Sequence, residues 1–205
     1  MTAEEHVSIA ALPMSLRWLR TPQSWTLPDG ASLEVAAGPR TDWFADPQQS
    51  AEPKLNAPAL VGEPAGGDFL LSARVTVDFA ATYDAGVLAL YASDRVWAKL
   101  CFEYSPQREP MVVSVVTRDV SDDCNSVVVD DASVWLRIAR LGPAFAFHAS
   151  TDGERWSFVR NFALEAGREP SIGFAAQSPT GDGCTVTFEQ IAYAAERLDD
   201  LRSGV

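Results

Sequence analysis

The chain has 205 residues, 47% hydrophobic and 10% aromatic, with a formal net charge of −12. Such a composition excludes intrinsic disorder and fits one folded domain, since β-sandwiches commonly reach about 200 to 250 residues. The acid excess argues against nucleic acid and anionic membranes as partners, because the phosphate contribution that dominates such binding would be repulsive.

Residues 1–13 lack periodicity and read as a flexible lead-in. Glu4 and Glu5 stand where a signal peptide carries Lys or Arg. Three scattered cysteines, Cys101, Cys124 and Cys184, have no CxxC pair and fit a reducing compartment, so a cytoplasmic protein is expected. With only His6 and His148 as imidazoles, no zinc site is recognisable. No run approaches the roughly 18 apolar residues that a membrane-spanning helix needs.

From Met14 the pattern turns β. Leu16 and Trp18 alternate with polar neighbours; Trp25 and Leu27 lead into the turn Pro28-Asp29-Gly30, and Leu33 and Val35 follow, which predicts an antiparallel hairpin. After Arg40-Thr41-Asp42-Trp43-Phe44 comes a Pro- and Gln-rich stretch, residues 46–64, without alternation. A loop of about twenty residues inside a compact domain marks a functional or mobile segment, expected to lie over one end or face of the fold.

Residues 68–79 alternate strictly, with Phe69, Leu71, Ala73, Val75, Val77 and Phe79 on one face. Residues 83–91 are more uniformly apolar, as in a strand covered on both sides, and Gly86 there would let a ligand or another chain approach the backbone. Residues 96–104 sort by parity: Ala98, Leu100, Phe102 and Tyr104 face one way, Trp97, Lys99, Cys101 and Glu103 the other. One face is core; an indole, an ammonium, a thiol and a carboxylate in a row make the other the expected functional surface. Residues 111–118 form the next strand, with Ser114, Val116 and Arg118 on one side.

An acidic loop, Asp119-Val120-Ser121-Asp122-Asp123-Cys124-Asn125, follows. Strands are predicted at 127–129, 134–141, 144–150 and 155–159, the last two joined by Thr151-Asp152-Gly153, since Asp-Gly readily takes the positive φ that hairpin turns need. Residues 171–176 and 184–193 complete the β pattern, and Leu198 and Leu201 at helical spacing predict a short helix in a tail over 194–205. Many short strands with frequent turn signals predict an all-β fold over residues 14–193, a two-sheet antiparallel β-sandwich.

Arg40-Thr41-Asp42-Trp43-Phe44, Tyr83-Asp84-Ala85-Gly86, Trp97-Ala98-Lys99-Leu100-Cys101-Phe102-Glu103-Tyr104, Val115-Val116-Thr117-Arg118, Ser121-Asp122, Trp135-Leu136-Arg137 and Ser150-Thr151-Asp152-Gly153-Glu154-Arg155-Trp156 occur in that order. Together they resemble a domain-of-unknown-function family labelled "regulation of enolase", over residues 16–193. The resemblance implies a concanavalin A-like jelly roll whose concave sheet forms a groove of the kind that holds sugars in lectins and glucanases. The label reflects a genetic association and names no activity. The family's tryptophan after Ser-Asp is replaced here by Asp123, which removes an aromatic platform at that position.

Lys99 and Glu103 share a strand face but lie about 13 Å apart along it, so each needs a partner on a neighbouring strand. Either Glu103 accepts from sugar hydroxyls or acts as an acid/base while Lys99 and Trp97 complete the groove, or the row is a mutually neutralised polar face. A glycosidase needs two carboxylates about 5 to 9.5 Å apart. Asp42, Asp84, Asp122 and Asp123 are candidates opposite Glu103, but the E-x-D-x-E row of laminarinase-like members of the fold is absent. The acidic loop offers oxygens to calcium without EF-hand spacing or its glycine. His148 alternates away from Phe145 and Phe147, toward the expected groove, and Gln177-Ser178-Pro179 ends a strand at its rim.

The expected ligand-binding set is therefore Trp97, Lys99, Glu103, Asp42, Asp84, Arg118, Asp122 and His148, with no catalytic residue, metal or cofactor. Three readings stay open: non-catalytic binding of a carbohydrate or small polar metabolite, a protein-interaction module regulating a metabolic enzyme, and a glycoside hydrolase-like enzyme.

Overall fold

A computed structural model describes residues 6–164 and 167–205. Its strands, in chain order, are β1 (His6–Val7), β2 (Leu16–Arg20), β3 (Ser24–Thr26), β4 (Leu33–Ala37), β5 (Trp43–Phe44), β6 (Lys54–Leu55), β7 (Ala59–Gly62), β8 (Phe69–Val77) and β9 (Ala85–Ser93). There follow β10 (Val96–Tyr104), β11 (Pro110–Arg118), β12 (Val120–Val128), β13 (Ser133–Leu141), β14 (Ala144–Ser150), β15 (Ser157–Ala163), β16 (Ser171–Gln177) and β17 (Cys184–Ala194). All pairings between them are antiparallel.

Eight strands form one sheet in the order β1-β2-β7-β16-β9-β10-β11-β12; seven form the other, β15-β14-β13-β8-β17-β4-β3; β5 and β6 pair by themselves. The result is a concanavalin A-like jelly-roll β-sandwich. The strict alternation of β8 buries Phe69, Leu71, Ala73, Val75 and Val77 while its other side stays half-buried. Across the interior, Leu88, Leu100, Phe102 and Phe174 of the eight-stranded sheet meet Val75, Leu136, Ile138 and Phe188 of the other, with the rings of Phe174 and Phe188 5.0 Å apart. Gly86 belongs to this interior. A Cβ there would strike the γ-methyls of Val75 and Val186, so the missing side chain admits the facing sheet and not a ligand.

Several local readings change. Residues 1–5, including Glu4 and Glu5, lie outside the described residues, but the rest of the expected lead-in is packed: β1 pairs with β2, and Val7 and Ile9 are buried. The stretch 46–64 contains β6 and β7. The acidic stretch is no loop but the edge strand β12, in register with β11 from Val120. Charged side chains suit an edge, where they discourage further pairing, and alternation sends successive carboxylates to opposite faces so that they cannot ring a cation. The tail is a turn over residues 201–204, not a helix; Leu198 and Leu201 still pack on Ala139 and Ala146.

Candidate functional site

Both faces of β9, β10 and β16 are buried. The reason is the segment 41–58, which crosses the outer face of the eight-stranded sheet as a strap. It is tied to the sheet at one end by the Thr41–Ser178 bridge and at the other by Ala176 N, which donates to Pro58 O at 3.2 Å, and within it Trp43 Nε1 donates to Ala57 O at 3.2 Å. Asn56 holds the turn: its Oδ1 accepts from Asp42 N at 2.9 Å and its Nδ2 donates to Arg40 O at 3.1 Å. On the far side, Ser121 N donates to Ala45 O and Ser121 Oγ accepts from Ala45 N. Trp43 seats the strap, its ring 5.7 Å from Trp97 and 5.8 Å from Tyr91 in tilted or edge-on contacts.

Beside the strap lies a cavity of about 270 Å³ lined by Asp42, Phe44, Tyr83, Lys99, Glu103, Val113, Val115, Asp123, Gln177 and Pro179. Ligand pockets begin at about 300 Å³, so this one suits a single small molecule better than an extended chain. Valines of β11 make an apolar floor, Phe44 and Tyr83 supply aromatic walls, and the polar groups converge from four separate segments.

Lys99 is almost fully buried; its Nζ donates to Gln177 Oε1 at 2.9 Å and lies 3.6 Å from Asp42 Oδ1. The Glu103 carboxyl has no hydrogen-bond partner among the described residues. Burial pushes its carboxyl up to about 7, Asp42 and Asp123 adding to the rise and Lys99 opposing it. Near neutral pH it is therefore divided between acid and carboxylate.

Tyr83 sits at a φ of 71°, a conformation costly for a large residue and kept only where the surroundings enforce it. Asp84 does this. Its Oδ2 accepts from Ala80 N at 2.9 Å and Ala81 N at 2.7 Å, and its Oδ1 from Ser178 Oγ at 2.6 Å. Tyr83 O in turn accepts from Gln177 Nε2 at 3.3 Å.

Of the eight expected site residues, Asp42, Lys99 and Glu103 line the cavity. The other five do not. Trp97 shares their face but is sealed beneath Trp43. Asp84 is buried behind the wall and shapes it. Arg118 ends β11 with inward parity, and its Nη2 donates to Ala163 O at 2.9 Å across the sandwich edge. Asp122, opposite Val116, also has inward parity and pairs with Arg160 at 2.9 Å; its neighbour Asp123, opposite Val115, reaches the cavity instead. His148 lies on β14 in the other sheet, on its outer face, where Nε2 is 2.8 Å from Leu201 O under the tail. Its parity away from Phe145 and Phe147 is as the sequence predicts, but the sheet is the wrong one. The replacement of the resembling family's tryptophan by Asp123 thus falls on the cavity wall.

Phe44 and Tyr83 were not foreseen. Phe44 is two residues from Asp42, so strand parity would have placed them together; nothing in the sequence signals the backbone geometry of Tyr83.

A family model described as "Protein of unknown function (DUF1349)" matches residues 18–196. No curated protein matches by sequence. Among solved structures, a functionally unknown protein from Saccharomyces cerevisiae is similar at 24% identity and a TM-score of 0.80, covering 88% of this chain and 96% of its own. The GH43 BlXynB protein from Bacillus licheniformis aligns at 16% identity and a TM-score of 0.72 over 88% of this chain but only 37% of its own length. The carbohydrate binding module CBM66 from Bacillus subtilis aligns at 12% identity and a TM-score of 0.53, over 86% and 94% of the two chains. At these identities the likeness establishes the fold.

Proposed function

Since the chain belongs to the DUF1349 family of proteins of unknown function, we propose from its site that it is a binding protein for a carbohydrate or similar small polyhydroxylated ligand, without catalytic activity. One observation carries the reading: Lys99, Asp42, Glu103 and Gln177 converge in a cavity with an apolar floor, flanked by Phe44 and Tyr83. Few polar groups in a mostly apolar concavity orient a ligand, and aromatic faces cover the C–H faces of a sugar ring while the polar groups meet its hydroxyls. The likeness to a carbohydrate binding module supports it through the fold alone. A cytoplasmic location is part of the same proposal, supported by three unpaired thiols.

Titration calorimetry against a panel of mono- and oligosaccharides tests it. Binding by the wild type that is lost in Tyr83→Ala is the expected result; a wild type that binds no member of the panel overturns the reading. A stoichiometric protein partner, enolase or another metabolic enzyme, that is retained by Glu103→Ala would favour the regulatory alternative. Release of reducing ends from polysaccharide, lost in Glu103→Gln, would favour a hydrolase.

A further inference from the structure

The cavity's inventory of charge and hydrogen-bonding groups is lopsided. Among the described residues Lys99 is its one cation, and that ammonium is already engaged by Gln177 and Asp42. Facing it are three carboxyl groups, Asp42 from the strap, Glu103 from β10 and Asp123 from β12. Tyr83, from the turn before β9, adds a hydroxyl and an aromatic face. The acceptors outnumber the donors, and Glu103 in particular has both oxygens uncommitted among the described residues. A ligand that completes this arrangement must bring donors. An anionic ligand would meet two or three like charges against one occupied lysine, an unfavourable exchange at the low effective dielectric of a half-buried site.

We infer that the cavity selects polyhydroxylated ligands carrying a protonated amine, such as amino sugars, over their neutral and acidic counterparts, and that Glu103 is the residue that sets this preference. The inference rests on the binding function proposed above and adds the ligand's charge. Cations are also welcomed by the aromatic walls, since an ammonium over a ring face is attracted by its quadrupole. The raised affinity of Glu103 for its proton accords with the geometry: burial raises it, Asp42 and Asp123 add to the rise, and Lys99 offsets only part of it, so a second positive partner would be accommodated. A bound ammonium would supply it and drive the proton off, so the preference is larger at about pH 7 than at about pH 5, where Glu103 holds its proton more firmly.

The experiment is titration calorimetry of the intact protein with glucose, galactose and mannose, each beside its 2-amino sugar and its uronic acid, at about pH 7 and about pH 5. At the higher pH the amino sugar should bind about tenfold more tightly than the matching hexose, the scale of one charge-assisted hydrogen bond. The uronic acid should bind most weakly. At the lower pH the gap should shrink, and in Glu103→Gln the ratio of amino-sugar to hexose affinity should fall to about one at both pH values, whatever that variant's own affinity for the hexose. Equal binding of hexose and amino sugar, or tightest binding of the uronic acid, overturns this inference and leaves the carbohydrate reading intact. A preference that survives in Glu103→Gln, or that does not change with pH in the wild type, also overturns it. Absence of binding by every sugar overturns both.

Discussion

Lys99 on β10 reaches across the whole of β9 to Gln177 on β16, the ammonium 2.9 Å from the amide oxygen. The reach is possible because β9 offers only Ala85 and Ala89 opposite the outward residues Glu103 and Lys99. Small side chains on the central strand thus let polar groups from three strands meet over an apolar floor. That junction joins the strap, through Asp42, to the sheet beneath it.

Replacing Lys99 by Met should therefore cost about 2 to 3 kcal/mol in urea denaturation, because Gln177 and Asp42 lose a charged partner they cannot replace. It should also raise the Glu103 carboxyl further, since Lys99 is the group holding it down. A carbon-detected NMR titration of Glu103 in both proteins reads the second effect; an unchanged midpoint would show that the two groups do not interact.

Glu103→Gln should stabilise the protein, and only at higher pH. The carboxyl titrates near 7 in the folded chain against an ordinary value of 4.5, so between these values the folded state holds the extra proton. Ionising it then costs stability, nothing below about pH 4.5 and the full amount above about pH 7. Partial exposure reduces the penalty to about 2 kcal/mol, or roughly 4 to 8 °C in melting temperature. Melting curves should separate at about pH 8 and coincide at about pH 4, and the reverse order would refute the assignment.

Asp84→Asn keeps the size of the side chain but loses charge-assisted bonds to Ala80 N, Ala81 N and Ser178 Oγ. The expected loss is about 1.5 to 3 kcal/mol of stability. Ligand affinity should drop as well, although the residue touches no ligand, because Tyr83 and Pro179 are released from their positions. Unaltered affinity in this variant would mean that the wall holds itself.

Trp43→Ala should detach the strap at a cost of about 3 to 5 kcal/mol, the range for removing a large buried aromatic. Since Trp97 would then become exposed, its fluorescence should shift to the red and become accessible to a quencher such as acrylamide. A variant whose Trp97 stays protected would show that the strap is held by its hydrogen bonds alone.

The parity of β10 was legible because its inner residues meet a continuous core and its outer ones carry chemistry; Lys99 and Glu103 followed from that alone. The same rule failed for Trp97, since alternation gives the face of a sheet but not what lies on it, and the covering Trp43 comes from a segment with no period to read. Asp122 and Asp123 show how narrow the margin is: one residue of register exchanges the interior edge for the cavity, and register was set by pairing with β11, not by local sequence. His148 failed differently. Its face was right, but the assignment of a strand to one sheet or the other depends on contacts far apart in the chain.

The strap is a single contiguous stretch whose two ends are fastened to the framework by backbone bonds to Ser178 and Ala176 and clipped together by Asn56, and it supplies Asp42 and Phe44 to the cavity. It stands outside both large sheets, so its exchange leaves every strand pairing of the sandwich intact. Under the proposed binding function the strap is an interchangeable part: insertion, deletion or grafting between Thr41 and Pro58 can reshape the wall that Asp42 and Phe44 form while the strand pairings, and Glu103 on β10, stay constant, much as variable loops diversify on a fixed scaffold.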